Sequence, residues 1–538
     1  MKALALALAL AASLPAATLT QRIEQLIALS PTAHTAFWGI EIVDLANGKT
    51  LCEHNADHFF VPASNAKLFT TAMALTRLGP DFTFQTRVMA GQPVDSDGRI
   101  LGSLRLVGGG DPNLSARTIP YKPGPTIGNQ LVALEELADQ IVARGVKRVD
   151  GDIVGDDTWY AWQPYAIGWS VDDPRSDDGA PISALTVNDN VFTLNVQPGG
   201  SPGDLAALAL NPPVEYYTID NRVRTLAASG ERHIHIERVP GSLDLHVWGT
   251  IPLHDKGQDL LLGIEDPALY AAKALKLLLE QRGITVTGTA VARHLYPHEL
   301  ASLTQSLEPA PDTGAPRSVL AATRMVGTQS PEPAPDTGAV GGAVPGRLQR
   351  ETQPPDTATE LARHTSAPLV EDLRITDKVS QNLHAEMALR AVGRARRNVG
   401  SFEAGREEMR TFLGEVGVEG GGYNLVDGSG LSRLDLVTPS AVVKLLQFMY
   451  TSKARENWIS MLPVGGQDGT LATRFTEGPA ARRIHAKTGS LSHVSALSGY
   501  AQRPNGRWVA FSILVNNYNG AASDIRAVMD RICTLIME

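Results

Sequence analysis

The chain has 538 residues, 43% of them apolar and 20% charged, and a formal net charge of −9. That length exceeds one hydrophobic core and points to two to four domains of a soluble protein. An acidic balance argues against nucleic acid or anionic lipid as the main partner.

Residues 1–17 read as a secretory signal, with Lys2 as the charged start, an apolar run from Ala3 to Leu14, and Ala16-Ala17 as small residues for cleavage. A run of that length is too short to cross a bilayer, and no later stretch approaches a membrane span. The expectation is therefore export to the periplasm or another extracytoplasmic compartment, with the mature chain at −10 once Lys2 is lost. Two cysteines, Cys52 and Cys533, enter that oxidising compartment, and spacing alone leaves open whether they pair.

Helical periodicity runs from Leu19 to Leu29. Phe37 to Leu45 alternates as a strand and turns at Asn47-Gly48 into Thr50-Leu51-Cys52. After Pro62 a helical run spans Ser64 to Leu78 and stops at Gly79-Pro80. A turn-rich stretch contains Val107-Gly108-Gly109-Gly110-Asp111-Pro112, whose glycines lack the lysine and hydroxyl of a phosphate loop. Leu131–Arg144 reads as a helix and Arg148–Val154 as a strand. Leu185–Pro252 is strand-rich, Leu260–Arg282 reads as a helix, and Ile284–Val291 as a strand.

From Ser302 to about Thr359 the pattern collapses. Glu-Pro-Ala-Pro-Asp-Thr-Gly-Ala occurs at 308–315 and again at 332–339 within Pro, Gly, Ala and Thr. Such composition buries too little apolar surface to repay ordering, so a disordered insert is expected. Order returns at Leu369. Helices follow at Leu383–Val392, Phe402–Val416 and Ser440–Tyr450, then strands over Ala486–Ala501 and Trp508–Val515 joined at Pro504-Asn505-Gly506. A final amphipathic helix runs from Ala522 to Met537.

Three short motifs stand on these elements: Ser64-Asn65-Ala66-Lys67, Ser380-Gln381-Asn382 and Lys487-Thr488-Gly489. They spell the S-x-x-K, S-x-N and K-T-G set of serine acyl-transfer enzymes that react with penicillins. Ser64 and Lys67 lie one helical turn apart, so an amine can take the serine proton while the helix N-terminus favours developing negative charge. Ser380 offers a hydroxyl that can relay a proton to a leaving amine, and the Asn382 amide can hold a substrate carbonyl. Lys487 and Gly489 share one face of a strand along which a substrate backbone can lie, with Lys487 and Thr488 able to bind a carboxylate. Each motif alone is weak; an ordinary helix cap or an exposed strand lysine would look the same. Their order and placement carry the reading.

With Val61-Pro62-Ala63 before Ser64, Gly179–Leu185, Ser380–Glu386 and Asp427-Gly428-Ser429-Gly430-Leu431-Ser432, the chain resembles the low-molecular-weight class C penicillin-binding proteins, the D-alanyl-D-alanine carboxypeptidase/endopeptidase family. The resemblance implies an α+β fold. A serine β-lactamase/DD-peptidase-like catalytic domain, an antiparallel sheet flanked by helices, would be interrupted by two inserted strand-rich domains. Such insertion accounts for the 313 positions that separate Ser380 from Lys67. The expected division is a signal at 1–17, a catalytic domain at 18–86 plus 359–538, a second domain at 87–175 plus 262–302, a third at 176–261, and the Pro-rich insert at 303–358.

The resemblance also assigns roles. Ser64 would be the nucleophile, Lys67 its base, Ser380 with Lys487 the proton donor to departing D-alanine, and Asn382 the group orienting the substrate amide. Thr488 would hold the terminal carboxylate, and the backbone N–H groups of Ser64 and Ser490 would form the oxyanion hole beside Gly489. Ser429 would line the cleft, and Asp156 lies near where some family members grip the substrate's free amine. Partners would be peptidoglycan peptides, with β-lactams as inhibitors, and no cofactor is implied. His233 with His235, and His294 with His298-Glu299, lack a third ligand at metal-site spacing. The rival readings are a serine β-lactamase or esterase on the same fold, disfavoured by Ser-Gln-Asn in place of Tyr-x-Asn and by the absence of a Glu-x-x-Leu-Asn loop, and a wall-binding scaffold whose catalysis has lapsed.

Overall fold

The computed structural model describes residues 17–124, 128–304 and 358–538. The expected signal through residue 16 and the Pro-rich tract at 305–357 lie outside the described residues.

The two ends of the chain build one sheet. Its five antiparallel strands run in the order Ile484–Leu491, Val494–Gln502, Trp508–Asn516, Phe37–Asp44 and Lys49–His54. Phe37–Asp44 pairs with Trp508–Asn516 along its whole length, so the N-terminal hairpin is stitched to the C-terminal one. The inner strands are buried on both faces, which requires a helical layer on each side. Leu19–Ala28 and Ala522–Met537 cover one face around Ile23, Trp38, Phe511 and Ile532. Ala66–Leu78, Asn382–Arg397, Phe402–Val416 and Pro439–Thr451 pack against the other around Phe69, Met387, Phe412 and Leu446. Cys52 and Cys533 are buried, unpaired thiols within the first of these cores.

Between the two parts of this unit the chain forms further sheets. A mixed five-stranded sheet orders Ala290–Leu295, Ile153–Ala161, Leu104–Val107, Gln85–Ala90 and Thr359–Thr365, with Val132–Ala143 and Pro267–Gln281 packed on it. Two three-stranded sheets lie within Val191–Gly263. Three readings are corrected here. Thr359–Thr365 belongs to the inserted mixed sheet, where it pairs antiparallel with Gln85–Ala90; the chain rejoins the catalytic unit only at the helix Leu369–Lys378. Gln258–Gly263 is a strand, and the helix there starts at Pro267, because Asp266 caps it (Leu269 N–H to Asp266 Oδ1, 2.9 Å) and Pro267 fits its first turn. The expected strand Arg148–Val154 is two strands, broken at Gly151, whose bare Cα packs on Gly102.

Candidate active site

Ser64 stands in a short 3-10 turn, Ala63–Asn65, that feeds the helix Ala66–Leu78. Ala63 before it has φ +48°, and Ser380 has φ +65°. A left-handed backbone costs a non-glycine residue roughly 1–2 kcal/mol, so the surrounding packing must hold both. Gly430 does so for Ala63: a Cβ at Gly430 would lie 1.9 Å from the Ala63 carbonyl oxygen.

Three distant segments converge on this turn. Lys67 Nζ lies 3.0 Å from Ser64 Oγ, 2.5 Å from Asn382 Oδ1 and 2.7 Å from the Ser429 carbonyl. Lys487 Nζ donates to Ser380 Oγ at 2.8 Å and to the Thr488 carbonyl at 2.8 Å. Both lysine side chains are fully buried. Thr488 Oγ1 meets Thr470 Oγ1 at 2.7 Å, and Asn382 Nδ2 donates to the Asp178 carbonyl at 2.8 Å.

Among the described residues Ile484–Leu491 is an edge strand: Val494–Gln502 pairs along one side, and an isolated bridge from Val464 to His485 touches the other. On its free side Gly465 N–H bonds the Ile484 carbonyl at 2.9 Å, and Ala486 N–H bonds the Pro463 carbonyl at 3.0 Å. Backbone groups of alternate residues share a side, so Thr488 and Ser490 also point to the free edge, beyond the part that Pro463–Gly465 covers. Gly489 brings this strand against the nucleophile: a Cβ there would sit 2.7 Å from the Pro62 carbonyl and 3.1 Å from Ser64 N.

The electrostatics follow from burial. Desolvation pushes the Lys67 ammonium down to about 8 even though the carboxylates of Asp427, Glu386, Asp377 and Asp178 pull upward. Lys487 is driven well below its ordinary value by burial and by the Lys67 charge, with Asp377 opposing. Burial pushes Asp377 up to about 7 against both lysines; Thr71 Oγ1 donates to its Oδ2 at 3.2 Å. Neutral Lys67 is the form that accepts a proton, so the rate of acylation should rise with pH and reach half its plateau near pH 8. Penicillin labelling rates between pH 6 and 9 check this; a flat profile would contradict it.

Two expected residues are placed differently. The Ser429 side chain is fully buried and bonds Asp427 Oδ2 at 3.2 Å; only its carbonyl reaches the site, on Lys67. Asp156 is fully buried on Ile153–Ala161, bonded to Arg105 at 2.5 Å and Arg293 at 3.3 Å, so no substrate amine can reach it. A strand of a mixed sheet covered by helices turns alternate side chains inward, and the Gly155-Asp156-Asp157 sequence resembles an exposed turn only out of that context.

Four acids received no role from the sequence, although Glu386 and Asp427 stand in stretches that carry the family resemblance. Glu386 accepts from Gly428 N–H at 2.7 Å and Ser429 N–H at 3.0 Å, and Asp427 accepts from Ser429 N–H at 3.0 Å and Gly430 N–H at 2.6 Å. Together they shape the loop whose carbonyl holds Lys67. Glu386 follows Asn382 by four residues, a spacing that puts both on one helix face and was available as a signal. Asp377 and Asp189 had none. Asp189 bonds His384 at 3.1 Å, Gln381 at 3.2 Å and also Arg117; it ties the inserted region to the second motif. His294, set aside as a metal ligand, lies between Asp157 (2.9 Å) and Asp266 (3.3 Å), stacked on Trp162.

Residues 19–306 and 336–535 match the D-Ala-D-Ala carboxypeptidase 3 (S13) family. The chain belongs to that family. It is 33% identical to a D-alanyl-D-alanine carboxypeptidase of Actinomadura sp. over 535 residues, 97% of this chain and 85% of that protein. A D-alanyl-D-alanine carboxypeptidase of Haemophilus influenzae is 24% identical over 88% of this chain and 84% of its own length. The crystal structure of penicillin binding protein 4 from Haemophilus influenzae superposes with a TM-score of 0.72 at 22% identity, over 96% of this chain and 98% of that one, which shows the shared fold. Among the described residues of this S13 member, no helix is long and apolar enough to cross a membrane.

Proposed function

We propose that this protein is an exported serine DD-peptidase that cleaves after D-alanine in peptidoglycan stem peptides through an acyl-enzyme on Ser64, and that β-lactams inhibit it by acylating the same serine. The observation that carries the reading is the convergence of three segments on one strand edge as two hydrogen-bonded groups, Lys67 with Ser64 and Asn382, and Lys487 with Ser380. Family membership supports the substrate class.

In this reading Ser64 Oγ attacks the carbonyl of the penultimate D-alanine as its proton passes to Lys67 Nζ. The negative oxygen of the tetrahedral intermediate accepts from the Ser64 and Ser490 N–H groups. Asn382 steadies the substrate amide, and Thr488 with Lys487 holds the terminal carboxylate. The C–N bond then breaks, the departing D-alanine amine takes the Ser380 hydroxyl proton, Lys487 reprotonates Ser380, and the proton that Lys67 took from Ser64 passes on to Lys487, so that both lysines end as they began. Water hydrolyses the ester and frees Ser64. In a β-lactam the broken amide stays tethered to the acyl group, so the leaving amine blocks water and the adduct persists. The leader at 1–17 and export to an extracytoplasmic compartment belong to this proposal, and are supported by the sequence pattern alone.

The test is to incubate the mature protein and Ser64→Ala with labelled penicillin and with a D-Ala-D-Ala-terminated peptide. A long-lived adduct and D-alanine release, both absent from the variant, are expected. Rapid penicillin turnover without D-alanine release would overturn the peptidase reading in favour of a β-lactamase, and no adduct at all would leave a scaffold.

A further inference from the structure

An open cavity of about 800 Å³ lies beside the cluster, at the covered end of the edge strand. Its position follows from the motif elements themselves. Lys378 precedes Ser380 by two residues, His485 precedes Lys487 by two, and Asp468 precedes Thr470, the partner of Thr488, by two; all three line the cavity.

The direction of the substrate places this cavity on the leaving-group side. With its scissile carbonyl at Ser490 N–H and its terminal carboxylate at Thr488, a bound peptide advances along the strand toward Ala486. There Pro463–Gly465 occupies the edge, so anything longer must turn aside. Val464, Gln467 and Asp468, the residues that block the edge or follow it, form the cavity wall. A single departing D-alanine needs no such volume.

The walls select for charge. Lys378 is paired with Asp468 at 2.7 Å, and Arg374 with Glu371 at 2.5 Å. Arg455 is held over the Tyr450 ring at 3.7 Å and has no carboxylate partner among the described residues, while exposed Glu456 lies beside it. His485 packs against Trp508 with ring centroids 5.5 Å apart and planes tilted by 47°, giving an aromatic wall. Tyr121, from the inserted region, lines the opposite side and reaches the backbone of Gly469.

We infer that this cavity is a binding subsite for the peptide that leaves with the amine in a cross-linked substrate, with Arg455 receiving a carboxylate of that second peptide. The inference rests on the DD-peptidase reading above and adds to it a preference for cross-linked over linear substrates. Arg455 is a specificity residue; it touches neither Ser64 nor the other residues of the cluster.

The experiment compares the mature full chain with Arg455→Ala and Arg455→Lys on three substrates: a linear D-Ala-D-Ala pentapeptide, a D-Ala-cross-linked muropeptide dimer, and labelled penicillin. Loss of one charge-assisted hydrogen bond should lower kcat/KM on the dimer about tenfold, through KM, in Arg455→Ala. Pentapeptide cleavage and penicillin labelling should stay within about twofold, and Arg455→Lys should recover part of the dimer activity. Unchanged dimer cleavage, a parallel fall on all three substrates, or a wild type inert on the dimer would overturn the subsite. Failure of the DD-peptidase reading looks different, because neither peptide would then yield a Ser64-dependent product.

Discussion

Lys67→Met should lower the rate of acylation by penicillin at least about a thousandfold at pH 8 while leaving the protein folded. Removing one member of a nucleophile–base pair costs on the order of 10³ to 10⁶ in rate, because the pair acts as a unit. Methionine keeps the volume of the buried side chain but cannot accept the Ser64 proton. It also removes the donor to Asn382 Oδ1 and to the Ser429 carbonyl, so the amide that steadies the substrate loses its anchor. Lys67→Arg distinguishes charge from basicity: a guanidinium retains the positive charge yet stays protonated at any working pH. Both variants should therefore be inert toward penicillin, while thermal melts show a folded chain. Acylation of Lys67→Met within tenfold of the wild type would mean that another group takes the proton.

His384→Ala should be the most destabilising single change away from the nucleophile, by roughly 3–5 kcal/mol, the cost of leaving buried charge unpaired. The imidazole is fully buried between Asp372 at 2.7 Å and Asp189 at 3.1 Å. Burial alone would lower its pKa; the two carboxylates outweigh that and push it up to about 9. Asp189 is held well below the usual carboxylate range, since Arg117 and His384 overcome the upward push of burial. The sign follows by linkage. A histidine ordinarily titrating near 6.5 and raised to about 9 when folded contributes its full charge-pair stability below pH 6.5 and loses it as pH climbs through 9. The stability gap between wild type and variant in urea melts should therefore narrow from pH 6.5 to 10, and a gap independent of pH would contradict the imidazolium. Acylation should weaken as well, because Asp189 also holds Gln381, next to the strained Ser380.

The legible part of the site was the part written in contiguous residues. The one-turn spacing of Ser64 and Lys67, the hydroxyl and amide of Ser380 and Asn382 before a helix, and Lys487 on a strand are local patterns, and local backbone geometry is set by neighbours in sequence. The final helix at Ala522–Met537 was read to the residue for the same reason, its apolar stripe being continuous. Ser429 and Asp156 were misplaced because a residue's type does not say which way its side chain turns. That depends on what packs above it: Asp427 beside one, two arginines beside the other.

What the sequence by itself determined is therefore the chemistry on offer: a nucleophile, two amines, a relay hydroxyl and a strand with a glycine where another backbone must approach. The tertiary structure decided how that chemistry is tuned and what it can take. Only folding across the inserted domains puts Glu386, Asp427 and Asp377 around two dehydrated lysines, and only the sheet order leaves Ile484–Leu491 with a free edge. The reason is physical. Burial and charge proximity are properties of three-dimensional neighbours: burial lowers the proton affinity of Lys67, and the carboxylates of Asp377, Glu386 and Asp427 that oppose it lie more than three hundred residues away along the chain.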